Sequence, residues 1–240
     1  MIEIVPQTGS TNADLSARLR ADERVVEGHW LIADRQTAGR GRQGRPWSDG
    51  KGNFMGSTTV RPHERDPAPH TLTFVAALAL YETVVPLIPN PGDLRLKWPN
   101  DLLVGGAKLA GILLEREGAA IIIGIGVNLA SAPEIEAYPT VALSQFGPSP
   151  DRDHFARALA KAFDQEVDRW RTFGLAPILR RWEAIAYPAG TALTITPPGE
   201  DAVNGSFGGL SDDGALLLRL ENGALRAIHA GDVVLAQKER

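Results

Sequence analysis

The sequence predicts an α+β body followed by a small β-barrel. Three observations carry this. Over roughly the first 130 residues, strand-like and helix-like segments alternate. Two helical segments follow between 149 and 186. Beyond Pro188 come short strand-like runs with turn signals at close spacing, about 50 residues of them, the pattern of a small barrel. The division falls at 1–187 and 188–240. A chain of 240 residues has room for a full core without staples.

Taken in order, "STNADLSARLR" is a short helix: Leu15 and Leu19 lie four apart, and Ser10 or Thr11 is placed to cap it. "HWLIAD" (29–34) and "NFMGSTTV" (53–60) are strands separated by an arginine-rich loop. "TLTFVAALALYETVV" (71–85) is apolar nearly all round, which marks a buried helix, and Pro86 ends it. "LRLKW" (94–98) alternates and stops at Pro99. "LLV", Gly105-Gly106 and "AKLAGILLE" form a tight hairpin, because Gly-Gly supplies the positive φ of such turns. "REG" (116–118) turns the chain into the apolar run 119–129. Residues 149–173 are a helix with Ser149 as cap and Pro150 in its first turn, and Phe155, Leu159, Phe163, Val167 and Trp170 fall on one stripe. A second helix covers 175–186, and short strands lie within 190–196, 203–211, 214–220 and 223–236.

Composition narrows the function classes. There is no cysteine, which excludes disulfides, thiolate nucleophiles and cysteine-held metal clusters and fits a cytoplasmic protein. The N-terminus carries no signal-peptide pattern, and no uninterrupted apolar run of about 18 residues is present, so no membrane partner is expected. A net charge of −4 argues against wholesale nucleic-acid binding.

Against that acidic background, "TAGRGRQGRPW" (37–47) concentrates Arg40, Arg42 and Arg45 between Gly39, Gly41 and Gly44. Glycine lets backbone N–H groups approach a ligand, and arginine offers a planar fork of donors that matches phosphate oxygens. The loop reads as a wrap for a phosphate; a solvated turn or an RNA-binding arginine–glycine box is the competing reading. In "KWPND", Lys97 ends a strand stiffened by Pro99 and is a fixed point charge, and Asp101 is placed to orient a cation or magnesium. The same residues also form a common surface turn. "IIIGIGVNL" (121–129) fails the dinucleotide fingerprint, since Leu129 replaces the third glycine and no helix follows. Gly124 and Gly126 instead make room either for a flat ligand or for a packed helix. The "STN" run at 10–12 favours a helix cap over ligand contact. His29, His63, His70, His154 and His229 show no ligand spacing.

In this order, "STN", "Q-TAGRGRQGRPW", "KWPNDLL", "KLAGILLE" and "GIGVNL" resemble the biotin protein ligases, which attach biotin to acetyl-CoA carboxylase and related carboxylases. The resemblance runs from about residue 7 to 130 and returns in "SDDGALLL…GDVVL", similar to that family's SH3-like barrel. It implies a mixed β-sheet flanked by helices. It also implies two half-reactions: biotin and Mg-ATP give biotinyl-AMP and pyrophosphate, then a lysine of the biotin carboxyl carrier domain takes the biotinyl group. By matched position, Ser10, Thr11 and Gln36 are the hydrogen-bonding groups for the ureido ring, and Asn12 and Gly39 also belong to the biotin site. Arg40, Arg42 and Arg45 close over biotin and the adenylate phosphate, and Lys97 is the central cation. Gly111, Gly124 and Gly126 form a close backbone wall; Trp47 covers the adenine side, Asn128 sits near the nucleotide, and Asp101 assists magnesium or the incoming amine. No protein-only metal site is implied; Mg2+ comes with ATP.

Gln43 stands where the family often has a further arginine. With "STN" starting at residue 10, a ligase without an N-terminal DNA-binding domain, and so without nucleic-acid partners, is expected. A homodimer joined through the sheet is common among relatives, and composition does not decide it. A lipoate or octanoate ligase of the same fold and a non-catalytic RNA-binding module are the alternatives.

Overall fold

The computed structural model describes residues 1–235. Seven strands form the first sheet: β1 (Ile2–Val5), β2 (Trp30–Ala33), β3 (Phe54–Val60), β4 (Leu94–Lys97), β5 (Asp101–Val104), β6 (Ala107–Glu117) and β7 (Ala120–Val127). Their spatial order is β1-β2-β3-β7-β6-β5-β4. Only β1–β2 is parallel, so the sheet is mixed. The sequence reading passes over β1, whose "IEIV" is too short for a pattern and stops at Pro6.

One face of the sheet is covered by α2 (Leu72–Val84), α3 (Arg152–Phe173) and α4 (Leu175–Ile185). Leu96, Leu102, Ala110 and Val127 are successive cross-strand partners on this face and are buried in the main core. Sandwiched between sheet and helices, α2 is buried nearly all round. That explains why Pro69–Leu87 is apolar enough to cross a membrane by composition: it is a core helix. The expected stripe on α3 is buried, and each large side chain on it contributes roughly 1.5–3 kcal/mol. Among the described residues the opposite face carries one short helix, α1 (Thr11–Arg20), held by a small cluster of Leu15, Val25, Leu31 and Ile122. It leaves most of that face open, and the site lies there.

Several boundaries differ from the sequence reading, each for a local reason. Asp151, not Ser149, caps α3: its carboxylate accepts from the His154 N–H, and Pro150 therefore precedes the helix. The β6–β7 turn is Gly118-Ala119, with Gly118 at φ +56°, so Arg116 and Glu117 remain in the strand. The Gly105-Gly106 turn holds as read, with both φ values positive.

The C-terminal unit is a five-stranded antiparallel sheet of β8 (Ala192–Thr196), β9 (Val203–Leu210), β10 (Leu216–Arg219), β11 (Leu225–Ile228) and β12 (Asp232–Leu235), in the order β11-β10-β9-β8-β12. Among the described residues no ladder joins β11 to β12, so the five strands of the expected SH3-like unit do not close into a continuous ring. The last expected strand residue, Ala236, lies outside the described residues. Trp98 donates to the Gly214 carbonyl at 3.2 Å, and the Leu210 N–H donates to Glu183 at 2.7 Å; these bonds fix the unit to the body.

Candidate active site

Strand register builds the floor. Lys97, Asp101, Gly111, Gly126 and Met55 are cross-strand partners in succession from β4 to β3, so they form one row on the open face. Ser57, Gly124 and Leu113 form the neighbouring row. A register shift between Leu102 and Leu103 sets Lys108 opposite Leu103, and its ammonium lies 2.7 Å from Asp101 Oδ1. Lys97 Nζ is 3.5 Å from Oδ2 of the same carboxylate. The Asp101 side chain is only 11% exposed, so one largely desolvated anion holds two ammonium groups side by side.

The arginine loop is the roof. Gly41 N–H donates to Arg45 O and Trp47 N–H to Gly39 O, which closes residues 39–47 into a compact turn. At its tip Gln43 (φ +57°) and Gly44 (φ +71°) are both left-handed, which glycine tolerates freely and glutamine does not. Trp47 reaches down to the floor, where a Cβ on Gly126 would collide with the indole and one on Gly111 would stand 3.1 Å from it. Among the described residues the buried Trp47 indole N–H has no acceptor. Arg42 points inward, 3.5 Å from Asn100 Oδ1 and 3.4 Å from the Gly231 carbonyl; burial draws its pKa down. Arg45 donates to Asp232 at 2.8 Å, and Arg40 lies 3.7 Å from Glu115.

A chain of buried polar groups closes the α1 end. Gln36 Oε1 accepts from the Thr11 N–H (2.7 Å) and faces its hydroxyl (3.1 Å). The Thr11 and Ser57 hydroxyls are 2.6 Å apart, Ser57 donates to Asn12 Oδ1 (2.5 Å), and Asn12 Nδ2 donates to Glu115 (2.7 Å). A side chain on Gly124 would displace Asn12. Ser10 is the N-cap residue of α1, as expected, but its side chain makes no cap hydrogen bond, and all three residues of "STN" line the cavity. The segment 135–139 forms the remaining wall, with the Tyr138 ring 5.6 Å from the Lys108 ammonium.

These groups enclose one cavity of about 790 Å³. Ser10, Thr11, Asn12, Gln36, Arg40, Arg42, Arg45, Trp47, Lys97, Asp101, Gly111, Gly124 and Gly126 all line it. Two expected residues do not. Gly39 sits behind Gln36, where a Cβ would be 3.1 Å from its amide nitrogen. Asn128 is buried and donates to the Val141 carbonyl at 3.1 Å, so it ties down the chain just beyond the wall segment and does not line the cavity. Since Arg42 is partly desolvated and lines the same cavity as the glycine floor and the two lysines, the solvated-turn and RNA-box readings of the loop give way. Sequence reasoning missed Lys108, Glu115, Tyr138 and Asp232. Lys108 and Glu115 lie in the quoted "KLAGILLE", but only the bulge and the distant Asn12 reveal where they point. Among the described residues no cluster of histidines and carboxylates is placed to hold a metal.

A mixed sheet with a glycine floor, paired ammonium groups and an arginine roof is the arrangement of a ligase that brings two anions together. The chain belongs to the biotin/lipoate A/B protein ligase family, whose model matches residues 6–128; residues 192–236 match the biotin protein ligase C terminal domain. It is 39% identical over 227 residues to a biotin–[acetyl-CoA-carboxylase] ligase of Paracoccus denitrificans, covering 90% of this chain and 93% of that one. The identity is 36% to the corresponding ligase of Mycobacterium tuberculosis, over 97% of this chain and 88% of that one. Among solved structures, the biotin protein ligase from Aquifex aeolicus in complex with biotin and ATP superposes with a TM-score of 0.85, at 26% identity and 99% coverage of both chains.

Proposed function

We propose that this chain is a biotin–[acetyl-CoA-carboxylase] ligase. It couples biotin to ATP, giving biotinyl-5'-AMP and pyrophosphate, and passes the biotinyl group to a lysine of the biotin carboxyl carrier domain. The observation that carries the reading is the single cavity holding the polar chain at 10–12, the arginine loop and the two lysines on Asp101.

The physical problem is charge. A carboxylate and a triphosphate repel each other, and charge builds on the α-phosphate as the carboxylate oxygen attacks and pyrophosphate leaves. Lys97 and Lys108, fixed by Asp101, and Arg42, partly desolvated, supply positive charge in place before the reaction, where it acts most strongly. Asp101 is thereby an orienting group for the lysines rather than a magnesium ligand. Mg2+ enters with ATP, held by the phosphates, and neutralises their charge. Thr11, Ser57 and Gln36 bind the uncharged ureido ring at the α1 end. Trp47, with its unpartnered N–H, lies against the substrate, and Tyr138, more exposed at the rim, offers the face for adenine. In the second step the carrier lysine attacks the acyl carbon, AMP leaves, and the amine proton goes to solvent. We place the reaction in the cytoplasm, beside its carboxylase.

The test is intact-mass measurement of an apo carrier domain incubated with the protein, biotin and Mg-ATP. One added biotinyl group per carrier is expected; an unmodified carrier would refute the reading.

A further inference from the structure

Glu115, on β6, has no place in the chemistry above, yet it terminates the polar chain at the α1 end. The direction of each hydrogen bond in that chain can be worked out. At one end, the Thr11 backbone N–H can only donate, so the group facing it must be the oxygen of Gln36, and the Gln36 NH2 is left free to donate. At the other end, a carboxylate accepts, so Asn12 must present its NH2 to Glu115 and its oxygen to Ser57. The single Ser57 proton is then committed to Asn12, and the Thr11 proton lies between Ser57 Oγ and Gln36 Oε1, both of which can only accept it. Both hydroxyls have given up their protons within the chain.

We infer that Glu115 is a positioning residue that, through Asn12, fixes the hydrogen-bond polarity of this pocket, so that Thr11 and Ser57 offer lone pairs and Gln36 offers N–H to the ligand. That pattern takes a group bearing N–H donors beside a carbonyl acceptor, as a cyclic urea does, and discriminates against acids whose distal end has no N–H. The inference rests on the biotin reading above and deepens it. Arg40 lies 3.7 Å from the same carboxylate, a looser contact between partly exposed groups, and is not needed for the polarity.

Three variants of the full chain test this, with KM for biotin and for ATP measured separately by pyrophosphate release. Glu115→Gln keeps an acceptor oxygen and should hold the biotin KM within about threefold of wild type. Glu115→Leu removes the acceptor, and Glu115→Lys forces a donor there and turns Asn12 around. Each should raise the biotin KM by about tenfold or more, with the ATP KM changed by less than about twofold. A folded lysine variant with unchanged biotin KM overturns the inference, as does a glutamine variant that loses as much as the other two, which would assign the effect to the Arg40 charge pair. Where the leucine and lysine variants fail to fold, Asn12→Ala decides: it cuts the link between Glu115 and Ser57, so a biotin KM raised about tenfold with the ATP KM unchanged supports the inference, and an unchanged biotin KM overturns it. Failure of the wild-type protein to release pyrophosphate with biotin is a different outcome and refutes the proposed function instead.

Discussion

Replacing either ammonium group of the pair on Asp101 by a neutral chain of similar length is the most informative perturbation of the charge arrangement. Lys97→Met and Lys108→Met each keep the apolar stem and remove one charge. Lys108 is 2.7 Å and Lys97 3.5 Å from the shared carboxylate, and their side chains are 19% and 21% exposed. In such a partly desolvated place, losing one preorganised charge from a developing phosphoryl centre costs about 2.7–4 kcal/mol, or roughly 10²–10³ in the rate of adenylate formation. The Asp101 negative charge then acts on the remaining lysine alone, so the two losses should be coupled and the double variant should retain more activity than the product of the singles. Single-turnover pyrophosphate release with saturating biotin and ATP isolates the step. Turnover within about threefold of wild type for either folded variant is inconsistent with the role given to that lysine.

Gly126→Ala should drive the Trp47 indole off the floor and displace the loop, lowering kcat/KM by about a hundredfold while the melting temperature changes little; retained activity would show that Trp47 does not need that seat. Arg42→Ala removes the contacts to Asn100 and the Gly231 carbonyl and should let biotinyl-AMP escape, seen as free adenylate by chromatography; unchanged retention would remove the loop as a lid. Asp151→Ala deletes the α3 cap and should cost about 1 kcal/mol, a fall in Tm of about 2–4 °C, with kinetics unaffected. Glu3 is held by Arg18 and His29 at a pKa of about 2, below its value of roughly 4.3 in the unfolded chain. Its stabilisation is therefore complete above that unfolded value and is lost as pH falls from about 4.3 toward 2. Solvent screening limits it to about 1 kcal/mol, so acid unfolding of Glu3→Gln should lie only slightly above wild type in pH.

The arginine loop, the buried α2 and the Gly-Gly hairpin were legible because each is written in adjacent residues: alternating Gly and Arg, an all-round apolar run, two residues of positive φ. The row from Lys97 to Met55 was not, since it depends on the registers of four strand pairs. Lys108 was hidden by a bulge, which moves a side chain without leaving a mark in the pattern. In the sequence, Gly124 and Gly126 mark space for a ligand or for a helix. The structure gives both, since they line the cavity while seating Asn12 of α1 and Trp47 of the loop. Asn128 was misplaced because a buried amide bracing a loop and one facing a nucleotide look the same in sequence.

Exchange of labelled pyrophosphate into ATP by the wild-type protein, with biotin or lipoate as the acid, probes most directly whether this one cavity joins a ureido-bearing carboxylate to the nucleotide. Exchange that depends on biotin and is negligible with lipoate is the expected result. Absence of biotin-dependent exchange, or equal exchange with both acids, would contradict it.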